Sequence, residues 1–162
     1  MGAHGAPEGA NPEGAIPDGA TPRQSGEGWE LFAHQADLGV RGFGPDLATA
    51  FANAARALTA AITDLARVVP RESVTIRCAA PDAEILLVDW LNALIYEMAT
   101  RKMIFGDFRV RIEDGRLEAE ALGEALDPAR HAPAVEPKGA TFTALSVVHE
   151  GGRWRAQCVI DV

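Results

Sequence analysis

The sequence predicts an α+β fold, a single domain in which a mostly antiparallel sheet packs against two helices. Three observations predict it. Two stretches, 47–65 and 82–101, repeat apolar residues at helical spacing, and one strand-like run separates them. The remaining alternating runs gather at the two ends of the chain instead of taking turns with helices, which is not a repeating βαβ pattern. Asp114-Gly115 and Gly151-Gly152 fall between alternating runs, as hairpin turns do.

Residues 1–26 come first and stand apart. They repeat Pro-Glu-Gly-Ala, Pro-Glu-Gly-Ala and Pro-Asp-Gly-Ala and offer almost nothing to bury, so a disordered tail is expected, with the domain spanning 27–162. Trp29 to Ala33 reads as a short strand and Leu38 to Phe43 as a second. Gly44-Pro45-Asp46 turns, and Asp46 suits the N-cap of the first helix. Val68 to Arg71 ends that helix. Ser73 to Ala79 alternates as a strand. Pro81-Asp82 opens the second helix, whose Ile85, Leu86, Trp90, Leu91, Leu94, Ile95 and Met98 mark it as the more buried of the two. Phe105 to Ile112 and Arg116 to Gly123 form a hairpin. Asp127 to Pro137 is a polar loop, Thr141 to Val148 a strand, and Arg153 to Asp161 the last strand. Trp154, Ala156, Cys158 and Ile160 share one face of it; Arg155, Gln157, Val159 and Asp161 share the other.

Composition narrows the function classes. The 162 residues carry a formal net charge of −8, which disfavours a surface that grips nucleic acid directly, because phosphate neutralisation supplies most of such affinity. Any RNA connection is expected to run through a partner. No apolar run reaches the roughly 20 residues of a membrane span, and no signal peptide pattern opens the chain, so a cytoplasmic protein is expected. Cys78 and Cys158 have no metal-ligand spacing and read as buried free thiols. Two of the fifteen basic residues are lysines, Lys102 and Lys138.

No standard catalytic signature is present: no nucleophile elbow, zinc-protease helix, phosphate loop or dinucleotide fingerprint. Gly39, Gly42 and Gly44 read as turn and strand glycines. The carboxylates remain. Asp37 and Asp161 stand at opposite ends of the folded region; together with the terminal carboxylate or main chain of Val162 they would supply the oxygen ligands that a hard cation takes. Each also has a plain reading, Asp37 in an Asx-turn and Asp161 on a solvent-facing strand. Periodicity does not say whether their strands are neighbours. His34 reads as a ligand, a proton carrier or a hydrogen-bonded turn residue. His131 and His149 read as exposed, and Asp89 as a paired core acid. Lys138 either is an exposed loop residue or supplies a compact ammonium that arginine would not.

Six stretches, in order and with the right gaps, resemble the archease family. They are Phe32 to Val40, Ala50 to Ala55, Leu86 to Asn92, Asp127 to His131, Pro137 to Thr141, and Val159 to Val162. The resemblance covers 29–162 and excludes the tail. It implies a small α+β accessory protein, not an enzyme, that activates a GTP-dependent RNA ligase in tRNA splicing by promoting guanylylation of the ligase histidine. It also implies a divalent metal site, calcium in the first place with magnesium or manganese as alternatives, on the positions matched by Asp37, Asp161 and Val162. The family's functional lysine and opening histidine match Lys138 and His34. Two departures stand out: the family's threonine in its opening motif is Gln35 here, and the histidine that follows its aromatic is Thr143. A stand-alone metal-dependent hydrolase and a general chaperone or assembly factor are the competing expectations.

Overall fold

A computed structural model describes residues 25–26 and 28–162, so most of the segment read as a tail lies outside the described residues. In chain order the elements are β1 (Ser25–Gly26), β2 (Trp29–His34), β3 (Asp37–Gly44), α1 (Leu47–Ile62), β4 (Glu72–Ala79), α2 (Ala83–Arg101), β5 (Met103–Glu113), β6 (Arg116–Ala125), α3 (Pro128–His131), β7 (Gly139–Ala140), β8 (Ser146–Glu150) and β9 (Arg153–Asp161). All strand pairings are antiparallel, as expected. They form two sheets, however, not one. The larger runs β1-β2-β3-β9-β7, with β8 also on β9; the smaller runs β4-β6-β5.

Local chemistry explains most boundaries. Asp46 accepts from Thr49 N–H at 2.8 Å to start α1, and Asp82 accepts from Ile85 N–H at 2.9 Å to start α2. Both satisfy backbone donors that a helix start leaves open. α1 stops at Ile62, three residues short of the expected Leu65, and Asp64 caps a separate 3₁₀ turn, Leu65–Arg67. α2 ends where Lys102 turns left-handed and returns its N–H to Met98. Positive φ at both Asp114 and Gly115, and again at Gly151 and Gly152, gives the two hairpins the turn geometry that matches strand twist.

The core lies between the layers. α1 packs on β3 on one side and β5 on the other, so it bridges the two sheets. Its alanines make this possible: a Cβ on Gly42 would lie 2.2 Å from Ala50 O and Ala54 N, so β3 rests against the helix backbone. Thr59 donates to Phe105 O, and Trp90 of α2 donates its indole N–H to Phe51 O, so the few buried polar atoms here are paired. Phe51, Leu58, Trp90, Leu91, Leu94 and Phe105 are fully buried; each such side chain contributes about 2 kcal/mol. The outcome reverses the expected ranking of the helices. α1 is the more buried, because it has a sheet on each side. Asp89 is exposed on the outer face of α2 and is not a core acid. Cys158 is buried and Cys78 half-buried; both are free thiols, and burial pushes Cys158 up to about 12.

The stretch expected as one strand, Thr141 to Val148, is not continuous. β7 ends at Ala140, the chain bends outward through Ala144 in the left-handed region, and β8 begins at Ser146. Both short strands pair with β9, and the bend between them lets one strand be served by two.

Candidate functional site

Register brings the two ends of the domain together. β3 pairs with β9 from Leu38 opposite Ile160 to Gly44 opposite Trp154. One step further along both strands sets Asp37 opposite Asp161. On the other side of β3, His34 pairs with Asp37 across the two-residue turn Gln35-Ala36, with Gln35 left-handed at φ 55. On the other side of β9, Gly139 pairs with Asp161, and Lys138 N–H donates to Asp161 O at 2.7 Å. Directly paired residues point to one face of a sheet. His34, Asp37 and Asp161 therefore form one row at the end of the larger sheet, on the face opposite the buried Val40 and Ile160, with Lys138, Gly139 and Val162 beside it. His34, Asp37 and Val162 are half-buried; Asp161 and Lys138 are exposed. All five residues singled out from the sequence thus meet at one corner.

The row next to it is a packed floor. Phe32, Gly39 and Val159 lie side by side across the three strands. The Phe32 ring covers Gly39 so closely that a Cβ there would sit 2.2 Å from it. Arg41 stacks its guanidinium 4.3 Å above the same ring. It is held in place by Glu30 and by Gln157, whose Oε1 accepts from Nε at 2.8 Å. Such a floor fixes the backbone on which Asp37 and Asp161 stand.

Two groups of positioning residues escaped the sequence reading. Asn92 of α2 accepts Ala140 N–H at 2.8 Å and donates to Ala140 O at 3.4 Å, which clamps β7 and so the Lys138 backbone to the corner. The signal was an amide on an otherwise apolar helix face. The second group lies in the loop after β6. His131, expected to be exposed, is 1% exposed. Its Nδ1 accepts Asp127 N–H, which leaves Nε2, 2.9 Å from Glu124, to donate to that carboxylate. Glu124 also takes Arg130, Arg71 and the Val69 N–H, and this set, led by Arg130, holds its carboxyl well below the usual range. The cap at Asp127 and the short α3 make the burial possible, since they aim His131 inward. His149 stacks on Trp154 at 4.9 Å, a hairpin contact away from the corner.

As for chemistry, the corner holds two carboxylates, the main chain of Val162, the imidazole of His34 and the ammonium of Lys138. Among the described residues there is no group of three or more His, Cys, Asp or Glu arranged to hold a metal. No helix there is long and apolar enough to cross a membrane.

The Archease protein family model matches residues 29–162. The chain belongs to the archease family. Protein archease of Pyrococcus furiosus is 37% identical over 139 residues, covering 83% of this chain and 98% of its own length. Protein archease of Thermococcus gammatolerans is 39% identical over the same span. The solution structure of protein 1598 of Methanobacterium thermoautotrophicum superposes with a TM-score of 0.75 at 31% identity, over 84% of this chain and 99% of that one. A crystal structure from Thermotoga maritima, described as an archease and possible chaperone, shares the fold at a TM-score of 0.56 and 17% identity, over 80% of this chain and 93% of that one. The archease match begins at Trp29, where β2 begins.

Proposed function

We propose that the protein is a metal-binding accessory factor that activates a GTP-dependent RNA ligase, promoting guanylylation of the ligase histidine in tRNA splicing or RNA repair. What supports this reading is the register of β3 and β9, which one step past Leu38–Ile160 sets Asp37 opposite Asp161, with Val162 next along the chain and Lys138 N–H on Asp161 O. Family membership supports the partner class. Asp37, Asp161 and a main-chain or terminal oxygen of Val162 would hold the ion, and an all-oxygen set suits calcium, magnesium or manganese. When bound, such an ion supplies charge and Lewis acidity toward phosphate oxygens.

The chain's own residues do the rest. Lys138 offers a compact ammonium beside the carboxylates, suited to offset phosphate charge without competing for a fixed bidentate geometry. His34, across from Asp37, offers its imidazole at the edge of the row. The packed floor keeps both aspartates still, so little ordering is left to be done on binding. With a net charge of −8 the factor leaves RNA itself to the ligase.

Purified ligase assayed for guanylylation with this protein and with its Asp37→Ala variant tests the reading, alongside calcium titration of both. The expected result is loss of calcium binding and of stimulation in Asp37→Ala, with the fold retained. Equal stimulation by both proteins sinks the metal role. Extending the chain beyond Val162 is expected to weaken calcium binding, and no change would remove the terminal carboxylate from the ligand set.

A further inference from the structure

We propose that the cavity at the Phe43 end of the larger sheet binds a phosphate group, held by Arg153 on its lining and by Arg155 on the neighbouring sheet face. The cavity encloses about 630 Å³, within the range of sites that hold small ligands. Asn53, Arg56, Arg153 and the ring of Phe43 are among its lining, and no Asp or Glu is. Two guanidinium groups without a lining carboxylate stand out in a chain of net charge −8. Arg56 is already engaged: one nitrogen donates to Asp107 and another to Asn53 Oδ1. Arg153 is not. Its guanidinium lies 4.0 Å over the Phe43 ring. Among the described residues it forms no ion pair, whereas eight other arginines do. Glu150, opposite it across the β8–β9 hairpin, is not within ion-pair distance. Stacking uses the face of a guanidinium and leaves free the N–H groups along its edge. The ring therefore holds in place a fork of donors suited to phosphate oxygens.

Arg155 supplies an independent observation. It pairs with Phe43 across β3 and β9, so both stand on one sheet face, and β8 sets Val148 on its other side. Neither neighbour carries a side-chain acceptor. Arg155 Nε is buried, and among the described residues it is the one buried side-chain nitrogen or oxygen without a hydrogen-bond partner. Such a group is costly to leave unmatched, and an anion is one of the few things that explains it. Arg155 forms no ion pair among the described residues either. Arg153 and Arg155 are two residues apart on β9, about 7 Å, and share a face. A carboxylate fills one such fork. A phosphate has the oxygens and the second charge to engage both, with a small turn of Arg155 that brings Nε to an oxygen. The net charge disfavours a long polyanion, so the phosphate belongs to a small ligand. The metal corner is separate: Asp161 lies six residues beyond Arg155 on β9, about 20 Å away.

Calorimetric titration of the full chain with pyrophosphate tests this, with acetate and ATP as further probes. Saturable pyrophosphate binding is expected. It should weaken at least tenfold in Arg153→Ala, whose side chain is exposed and leaves the core untouched. It should weaken several-fold in Arg155→Met, which keeps an apolar stem and removes the guanidinium. It should stay unchanged in Arg109→Ala, which removes the same charge from the smaller sheet. Absence of saturable binding overturns the proposal. So does an equal loss in all three variants, which would reduce the effect to general charge. Acetate bound as tightly as pyrophosphate overturns the assignment to phosphate. ATP bound more tightly than pyrophosphate supports a nucleotide as the source of the phosphate, and pyrophosphate bound as tightly as ATP supports the free anion.

Discussion

Gly42 shows how little room single positions have. A Cβ there would lie 2.2 Å from two backbone atoms of α1, whereas at Gly39 it would meet only the Phe32 ring. A ring can tilt; a helix backbone held between two sheets cannot. Gly42→Ala is therefore expected to cost about 3 kcal/mol, and Gly39→Ala less, in urea unfolding of the two variants. Glu124 adds a pH dependence. Its carboxyl titrates below the ordinary value in the folded state, chiefly because Arg130 and the Val69 N–H bond its charged form. The stability this gives is complete above the unfolded value of about 4.3 and is lost as pH falls below it. Glu124→Gln is expected to melt at a lower temperature than the wild type at neutral pH, and the difference is expected to shrink as pH drops below about 4. A constant difference across that range would show that the carboxylate's charge is not what the network uses.

At the scale of elements, the corner depends on β7, which is two residues long and has few bonds of its own. Asn92 supplies what the strand lacks. Asn92→Ala is expected to cost about 1–2 kcal/mol for the unmet Ala140 groups. It is also expected to loosen Lys138, seen as faster amide exchange at residues 138–141 with exchange in β3 unchanged. The elements that were legible in the sequence are those whose signals are local. Asp114-Gly115 fixed a hairpin, Asp46 and Asp82 fixed two helix starts, and alternation fixed β9. Signals that depend on what packs outside an element were not legible. α1 carries small residues and reads as the lesser helix, yet it is buried on both sides; Asp89 sits in an apolar run and faces solvent. The break between β7 and β8 arises because β9 accepts two partners in succession, which no property of Thr141 to Leu145 announces. His131 was hidden by its polar neighbours, which fold over it. The candidate site residues were each ordinary by themselves; Asp37, Asp161 and Val162 could be grouped as oxygen ligands without any sign that their strands were neighbours, the family resemblance joined His34 and Lys138 to them, and the register of β3 and β9 supplies the geometry.

For the whole molecule, two sheets meet across α1, and they draw on different parts of the chain. β4, β5 and β6 lie close to one another in sequence, with β5 and β6 joined by a tight turn. The larger sheet instead joins β3, from the start of the domain, to β9, from its end. Contacts between distant residues carry a larger loop-closure cost and form more slowly. In refolding, helix signal and the β5–β6 hairpin are thus expected to recover first, and calcium competence at the Asp37–Asp161 corner last. Stopped-flow circular dichroism run beside a calcium-indicator assay would separate the two phases, and equal rates would place β3–β9 pairing in the early nucleus. A site assembled by the slowest pairing also reports that the chain is finished folding. On the function proposed above, a ligase that responds only to that corner would be switched on by native molecules and ignored by partly folded ones, and the topology would serve as a proofreading step.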